Sequence, residues 1–291
     1  MDKKESDELL SSYERQKSIN FFLDEYQEES VDELDSLSMN PTEKYDAEIE
    51  IDEGGMKKIY QVFDKNSTRN IAIARLKDDK NSKIKKNFIR EARLTALLEH
   101  PNIVPVHDVG LDPNGSPYFS MKLIEGETLS DILHKLRDGD QDYLVKYSRP
   151  VLIDVFLKVC EAIAFAHSRG IIHLDLKPAN IRVSDYGEVL VIDWGLAKFL
   201  DEFEEDSSMS DMLISSSTTH TIYGVIKGTI GYMAPEQAKG ENRNKGRHTD
   251  IYALGAILYS ILTYTTPIVE DDIEIDEVVI LKVERHLLPL V

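Results

Sequence analysis

Four polar residues that suit phosphoryl-transfer chemistry lie close together in this 291-residue sequence. Asp175, Lys177 and Asn180 fall in the segment 173–180, which reads HLDLKPAN, and Asp193 follows in the segment 191–195, which reads VIDWG. Phosphoryl transfer needs a carboxylate to orient the attacking hydroxyl, a cation near the transferred group and hard oxygen ligands for Mg²⁺. These four side chains supply all three requirements.

The spacing of these motifs closely resembles that of the eukaryotic-like (Hanks-type) Ser/Thr protein kinases, of the kind found in bacteria. The first Asp lies 18 residues before the Asp of the Asp-x-Gly motif. The resemblance implies that Asp175 is the catalytic base and that Lys177 steadies the transferred phosphate. It further implies that Asn180 and Asp193 hold Mg²⁺, with ATP as the phosphate donor.

Two downstream motifs extend the resemblance, which covers Tyr45 to about Pro267. Residues 227–236 resemble the kinase peptide-positioning loop and Ala-Pro-Glu motif, and residues 250–255 resemble the start of its central helix. Lys177 and Thr229 follow the Ser/Thr version of the pattern. The resemblance therefore implies a protein substrate that is phosphorylated on Ser or Thr.

The strand that normally carries the ATP-anchoring lysine has none here. The residue at that position is Ala74, so Glu91, which matches the usual helix partner of the lysine, lacks a cation in the expected place. The neighbouring Arg75 is no substitute, because adjacent residues of a strand point to opposite faces of the sheet.

The glycine-rich loop is also altered, and it offers a replacement lysine. Residues 52–57 read DEGGMK, with an acidic Asp52 where glycine is usual and with Lys57 at the last position of the loop. The with-no-lysine (WNK) kinases, which resemble this chain in lacking the strand lysine, place a lysine at that same position. We expect Lys57 to reach the phosphates and Glu91; the alternative is a solvated hairpin lysine beside Lys58.

The resemblance assigns further contacts with ATP to the backbone and to apolar positions. These are Gly54, Gly55, Ala72, Met121 and Leu123, in addition to Lys57 and Glu91. Arg182 stands where the family usually has an apolar residue beneath the adenine, and it would either stack on the base or obstruct it.

Leu174 replaces the arginine before the catalytic Asp, which makes control by loop phosphorylation less favourable.

The elements that must position these residues form two groups. Short strand-like runs at 48–51, 59–63, 70–76, 103–109 and 118–124, with one helix at 87–98, predict a small antiparallel β lobe. Helical patterns at 130–136 and 151–168 follow. The expected fold class is α+β, a two-lobed kinase-like fold with an N-lobe at 45–124 and a larger helical C-lobe at 125–291. We expect residues 1–44 to form an acidic arm.

Composition narrows the functional classes. The net charge of −19 disfavours nucleic acid as a partner. A single cysteine, Cys160, excludes an internal disulfide, and with no secretory signal visible the cytoplasm is the expected location. The uncharged run at 251–269 turns polar early, which favours a buried helix of about three turns, apolar on all sides, over a membrane span.

Two further segments carry expectations about regulation and assembly. Residues 201–221 are acidic and then rich in Ser and Thr, which predicts a mobile loop that collects autophosphorylation at 215–221. After Pro267 the last helices of the family are not recognisable, so we expect a truncated or divergent end whose exposed surface calls for a partner or a missing segment.

Two functions remain open from the sequence alone. Retention of the four phosphotransfer residues favours an active Ser/Thr kinase. The loss of the strand lysine, together with Asp52 and Arg182, favours a pseudokinase that acts as a binding or scaffolding module. Binding of Mg-ATP distinguishes them.

Overall fold

A computed structural model describes residues 44–77, 81–200, 231–241 and 244–267. The chain divides into two compact units, one made of Met1–Ala92 with Val106–Leu123 and the other of Arg93–Pro105 with Ile124–Val291. We call them the β unit and the helical unit and describe each by itself. The predicted acidic arm, the loop at 201–221 and the chain end after Pro267 lie outside the described residues, apart from Lys44.

The β unit is built on an antiparallel sheet of five strands in the order β1-β2-β3-β5-β4. Its strands are β1 (Ile49–Glu53), β2 (Lys57–Asp64), β3 (Arg69–Leu76), β4 (Val106–Leu111) and β5 (Pro117–Lys122), and helix α1 (Ser82–Ala96) follows β3 in the chain. These bounds confirm the predicted small sheet with one helix to within a few residues.

Strand alternation gives this sheet two apolar faces with different partners. On one face Ala74 and Phe119 form a buried cluster with Phe88 and Ala92 of α1. On the other face Ile71 and Ile73 of β3 pack in a second buried cluster. Both faces are covered, so residue parity along each strand decides which side chains share a space with α1.

The helical unit begins with a short strand and three helices. In order these are β6 (Glu127–Thr128), α2 (Leu129–Arg137), α3 (Gln141–Lys146) and α4 (Arg149–Ser168). Next come β7 (Ile171–Ile172), a 3₁₀ turn (Pro178–Asn180), β8 (Ile181–Val183), β9 (Val189–Val191) and β10 (Lys198–Phe199), followed by α5 (Pro235–Ala238) and α6 (Arg247–Thr263). Sequence periodicity predicted α2 and α4 but missed the short α3, which is capped by the side chain of Asp140.

One buried cluster holds the helical unit together. Side chains from α2, α4, the small strands and α6 meet in it, including Leu129, Ile163, Trp194 and Ile257. None of the helices in the described ranges has the length and apolar character needed to cross a bilayer.

One expectation about α6 was wrong. The run was expected to form a buried helix, apolar on all sides, but Ile251 is 57% exposed and Gly255 is also exposed. The two residues lie one turn apart, so the same side of α6 faces away from the core among the described residues.

Candidate active site

Asp175 lies in the loop between β7 and the 3₁₀ turn, where two polar neighbours hold its carboxylate. The Lys177 ammonium nitrogen Nζ is 2.8 Å from Asp175 Oδ2. The Asn180 side-chain amide donates to both the backbone carbonyl of Asp175, at 2.8 Å, and its Oδ2, at 3.0 Å. The three predicted residues are therefore in direct contact, and the carboxylate is fixed in orientation.

His173 links this loop to the segment that carries Asp193. Its Nδ1 accepts the backbone N–H of Asp175 at 3.2 Å, so the ring proton lies on Nε2, which faces the Ile192 carbonyl at 3.3 Å. The ring is fully buried, and its centroid is 4.5 Å from that of Trp194. His173 is thus a packing and positioning group.

The role of Asp250 in supporting the catalytic loop is the feature that sequence reasoning missed. Its side chain is almost fully buried at the start of α6, where Oδ2 accepts from His173 N and Oδ1 from Leu174 N, each at 2.9 Å. The His167 Nε2 lies 2.8 Å from the same Oδ2. A carboxylate directly before the uncharged run at 251–263 was the available signal, because a buried carboxylate needs several hydrogen-bond donors.

Leu174 adopts an uncommon backbone conformation for a branched residue, with φ of 66°. The conformation is held from both sides, since Leu174 N–H donates to Asp250 and the Gln237 side-chain amide donates to the Leu174 carbonyl at 2.8 Å. Strain of this kind persists only where surrounding contacts determine it, and it is concentrated at functional sites. Here the conformation of Leu174 sets the direction in which the backbone continues to Asp175.

The two predicted metal ligands are also joined through the backbone. The N–H of Ile192 donates to the Asn180 carbonyl at 2.9 Å, and the next residue, Asp193, is exposed with φ of 63°. Because the Asn180 amide nitrogen is engaged by Asp175, the amide oxygen is its remaining ligand atom. This donor set fits Mg²⁺, which binds a few protein oxygens together with phosphate and water.

No group of three or more His, Cys, Asp or Glu side chains suited to a metal ion occurs in the part of the chain that the structure describes. A Mg²⁺ ion at Asn180 and Asp193 would accordingly complete its coordination with ligands from outside the protein.

In the β unit, the Lys57 ammonium forms an ion pair with the Glu91 carboxylate of α1. Lys57 is the first residue of β2, and Ile59, two residues on, pairs directly with Ala74 of β3. Lys57 is therefore a diagonal neighbour of Ala74 on the same face, with Cα atoms roughly 7–8 Å apart. A lysine side chain reaches Glu91 from that position, whereas its expected contact with the phosphates stays a prediction.

The neighbouring cations are directed elsewhere. Lys58 pairs with Glu50 at 2.8 Å in an exposed position. Arg75 pairs with Glu48 at 2.6 Å and with Asp112 at 3.3 Å, on the face opposite to Ala74. The interpretation of Lys57 as a solvated hairpin lysine does not fit its contact, and Arg75 is not available to Glu91.

The remaining predicted nucleotide contacts in the β unit lie on or beside the same strands. The turn 54–56 joins β1 to β2, and the Gly54 N–H donates to the Lys57 carbonyl at 2.9 Å. An added Cβ at Gly55 would meet nothing within 4 Å, so the fold itself does not require glycine there. Ala72 pairs with Met121 across β3 and β5, and Leu123 follows β5.

Glu236 of the Ala-Pro-Glu motif has a partner that the sequence did not suggest. The Thr249 hydroxyl donates to its Oε1 at 2.7 Å, and His248 Nε2 lies 3.4 Å from the same oxygen. The start of α6 thus holds α5 as well as the catalytic loop.

Comparison with known proteins agrees with these features. The protein kinase domain family matches residues 45–287. Serine/threonine-protein kinase PknD of Protochlamydia amoebophila is 40% identical over 226 residues, which are 75% of this chain and 23% of that protein. PknD of Chlamydia caviae and PknD of Chlamydia pneumoniae are each 38% identical over 77% of this chain, and over 25% and 24% of their own lengths. The chain spans about a quarter of the length of these curated relatives.

Proposed function

The chain belongs to the protein kinase family, and from this premise we propose that it transfers the γ-phosphate of ATP to Ser or Thr hydroxyls of a protein, with Mg²⁺ as cofactor and in the cytoplasm. The observation that carries the proposal is the contact of Asp175 with both Lys177 and Asn180. The printed names of the relatives, Ser/Thr protein kinases, support the choice of acceptor.

Each residue of the catalytic loop has a defined task in this proposal. Asp175 orients the acceptor hydroxyl and takes its proton, and its carboxylate is already aligned by the Asn180 amide. Lys177 lies 2.8 Å from that carboxylate and places a positive charge beside the attacked phosphoryl group. Asn180 and Asp193 would hold Mg²⁺, which supplies neutralisation of the phosphate charge when bound.

We further propose that Lys57 anchors the phosphates in place of the missing strand lysine. Its contact with Glu91 supports this role, because the carboxylate holds the ammonium on the face of the sheet that α1 covers. Gly54, Gly55, Ala72, Met121 and Leu123 remain the proposed contacts for the rest of the nucleotide.

The second candidate is a pseudokinase that binds partners without catalysis. Asp52 favours it, since this exposed carboxylate precedes the glycine turn and repels phosphate. An enzyme and a pseudokinase differ in whether labelled phosphate is transferred.

The test is transfer of radiolabelled phosphate from ATP to dephosphorylated casein or to the chain itself. Asp175→Asn keeps the size and hydrogen-bond geometry of the side chain but removes the proton acceptor. We expect kcat to fall by about 10²- to 10⁴-fold. The matched control is Asp154→Asn, at an exposed carboxylate paired with Lys158 on α4, and it should retain full activity.

Calorimetric titration with Mg-ATP shows whether each variant is folded and still binds the nucleotide. The proposal predicts that Asp175→Asn binds Mg-ATP nearly as tightly as the wild-type protein while it fails to transfer phosphate. Transfer by Asp175→Asn at the wild-type rate would refute the role of this residue. A wild-type protein that neither binds Mg-ATP nor transfers phosphate would support the pseudokinase.

A further inference from the structure

Helix α1 is strongly basic in a chain that is acidic as a whole. The sequence has 34 basic and 53 acidic residues. Along Ser82–Ala96, by contrast, Glu91 is the one acid, and there are five cations: Lys83, Lys85, Lys86, Arg90 and Arg93. The first turn contains no acid, and the positive end of the helix dipole adds to the same charge. Helix α1 is therefore a local positive surface on an acidic protein.

Three of these cations lie on one side of α1. Lys83, Lys86 and Arg90 are three and four positions apart, so they lie within about 60° of one another around the helix axis. Phe88 and Ala92, which pack against the sheet, are on the opposite side. Lys83 and Lys86 are exposed, and among the described residues neither takes part in an ion pair. We call Lys83, Lys86 and Arg90 the basic stripe.

The acidic arm contains a segment whose charge complements the basic stripe. Residues 24–35 read DEYQEESVDELD and contain seven acids and no base. The acids recur as pairs at 24–25, 28–29 and 32–33, which is close to the three- and four-residue spacing of the stripe. Segments 201–206 and 270–277 are also acidic, but in sequence they belong to the helical unit.

The arm is attached to the β unit and is long enough to reach α1. Tyr45, the first residue after the arm, bridges to Asp64 at the end of β2 and is buried in the cluster with Ile71 and Ile73. Residues 36–44 separate the acidic segment from this anchor and span up to roughly 30 Å when extended. The eight residues of β2 span about 25 Å. The acidic segment can therefore pass the length of the sheet on which α1 packs.

We propose that the acidic segment 24–35 binds the basic stripe of α1 within the same chain. A separate polyanion or a second copy of the chain is repelled by the net charge of −19, whereas a tethered segment has an effective concentration in the millimolar range. The inference goes beyond the proposed function, because it assigns an interaction surface. Helix α1 also carries Glu91, the partner of Lys57, so the bound arm lies on the helix that positions this lysine.

The experiment is carbodiimide cross-linking of the full chain, which joins a lysine amine directly to a carboxylate that touches it. Mass spectrometry locates each link. An equal mixture of isotope-labelled and unlabelled chain distinguishes links within one chain from links between two chains. The internal control is Lys58 with Glu50, an exposed ion pair at 2.8 Å between β1 and β2.

We expect links from Lys83 or Lys86 to carboxylates of residues 24–35, within one chain. In about 1 M NaCl their yield should fall about tenfold, because the Debye length shrinks to about 3 Å and several exposed pairs weaken together. The link of Lys58 to Glu50 should keep most of its yield, since the pairing of β1 with β2 holds these residues together.

A charge exchange tests the same contact by mutation. The arm variant Glu28→Lys with Glu29→Lys and Asp32→Lys should lose about tenfold in links between the remaining acids of 24–35 and the stripe. Adding Lys83→Glu and Lys86→Glu to this variant should restore links between the two exchanged sets. Thermal unfolding verifies that each variant is folded.

Four results overturn the inference. Links from Lys83 and Lys86 only to 201–206 or 270–277 mean that another acidic segment binds the stripe. Links that join labelled to unlabelled chains mean that two copies associate. An arm that forms no link to the stripe, or links whose yield is equal at low and high salt, contradict an electrostatic contact. All four leave the proposed function standing, because none of them concerns phosphate transfer or binding of Mg-ATP.

Discussion

At the scale of single residues, β3 has Ala74 at the position where a lysine was expected. The neighbouring strand β2 has Lys57 on the same face of the sheet. The pairing of Ile59 with Ala74 makes Lys57 a diagonal neighbour of the position that has lost its lysine. The sequence could identify Lys57 as a candidate because the loop motif is local. The contact with Glu91 depends on strand register and on the packing of α1, and neither can be read from spacing alone.

The former lysine position is closed by packing. Ala74 is fully buried in a cluster with Phe88, Ala92 and Phe119. We predict that Ala74→Lys destabilises the protein by about 1–3 kcal/mol, because a long side chain overfills this cluster. Chemical denaturation measures the change, with Arg75→Lys as the control on the opposite face, where at most about 1 kcal/mol should be lost. Unchanged stability in Ala74→Lys would show that the space is open.

Helix α6 shows, at the scale of elements, where a sequence pattern misleads. From Ile251 to Leu262 its residues are mostly apolar, so periodicity gave no direction for an exposed side. The structure buries Ile257 and Ile261 fully and leaves Ile251 exposed. A partner or missing segment that covers the chain end stays a prediction, because a single exposed isoleucine does not make an apolar patch.

Two isoleucines of this helix provide a matched pair. We predict that Ile257→Ala lowers the free energy of unfolding by about 2–5 kcal/mol, because it leaves a cavity in the core. Ile251→Ala should change it by no more than about 0.5 kcal/mol. Urea unfolding can be followed by the fluorescence of Trp194, which is the only tryptophan and lies in this core. Similar losses for both variants would contradict the exposed position of Ile251.

Contacts within the catalytic loop were easier to predict from the sequence than the contacts that other elements make with the loop. Asp175, Lys177 and Asn180 lie within six residues, so their contacts follow from one short turn. Asp250 and Gln237 act on the same loop from more than 60 positions away, and such contacts arise only after α4, α5 and α6 have packed. Short α3 was missed because six residues carry too little periodicity to distinguish a helix from a turn.

At the scale of the whole molecule, each of the two units contains residues with a role in the proposed function. The β unit contains the ion pair of Lys57 with Glu91, and the helical unit contains the loop around Asp175 and the two proposed metal ligands. The chain carries a net charge of −19, which disfavours polyanions in general. In the proposed function, binding of a triphosphate therefore depends on a few well-placed cations, and Lys57 is the most important of them.

The affinity for Mg-ATP of the wild-type protein, compared with Lys57→Ala, tests this claim most directly. We predict that the dissociation constant, measured by calorimetry, rises about 10- to 100-fold in Lys57→Ala, because a charge-assisted contact with phosphate is lost. Lys58→Ala, the adjacent exposed lysine, should stay within about twofold of the wild type. Equal affinity in the wild-type protein and Lys57→Ala would contradict the account, because the phosphates would then be held without this lysine.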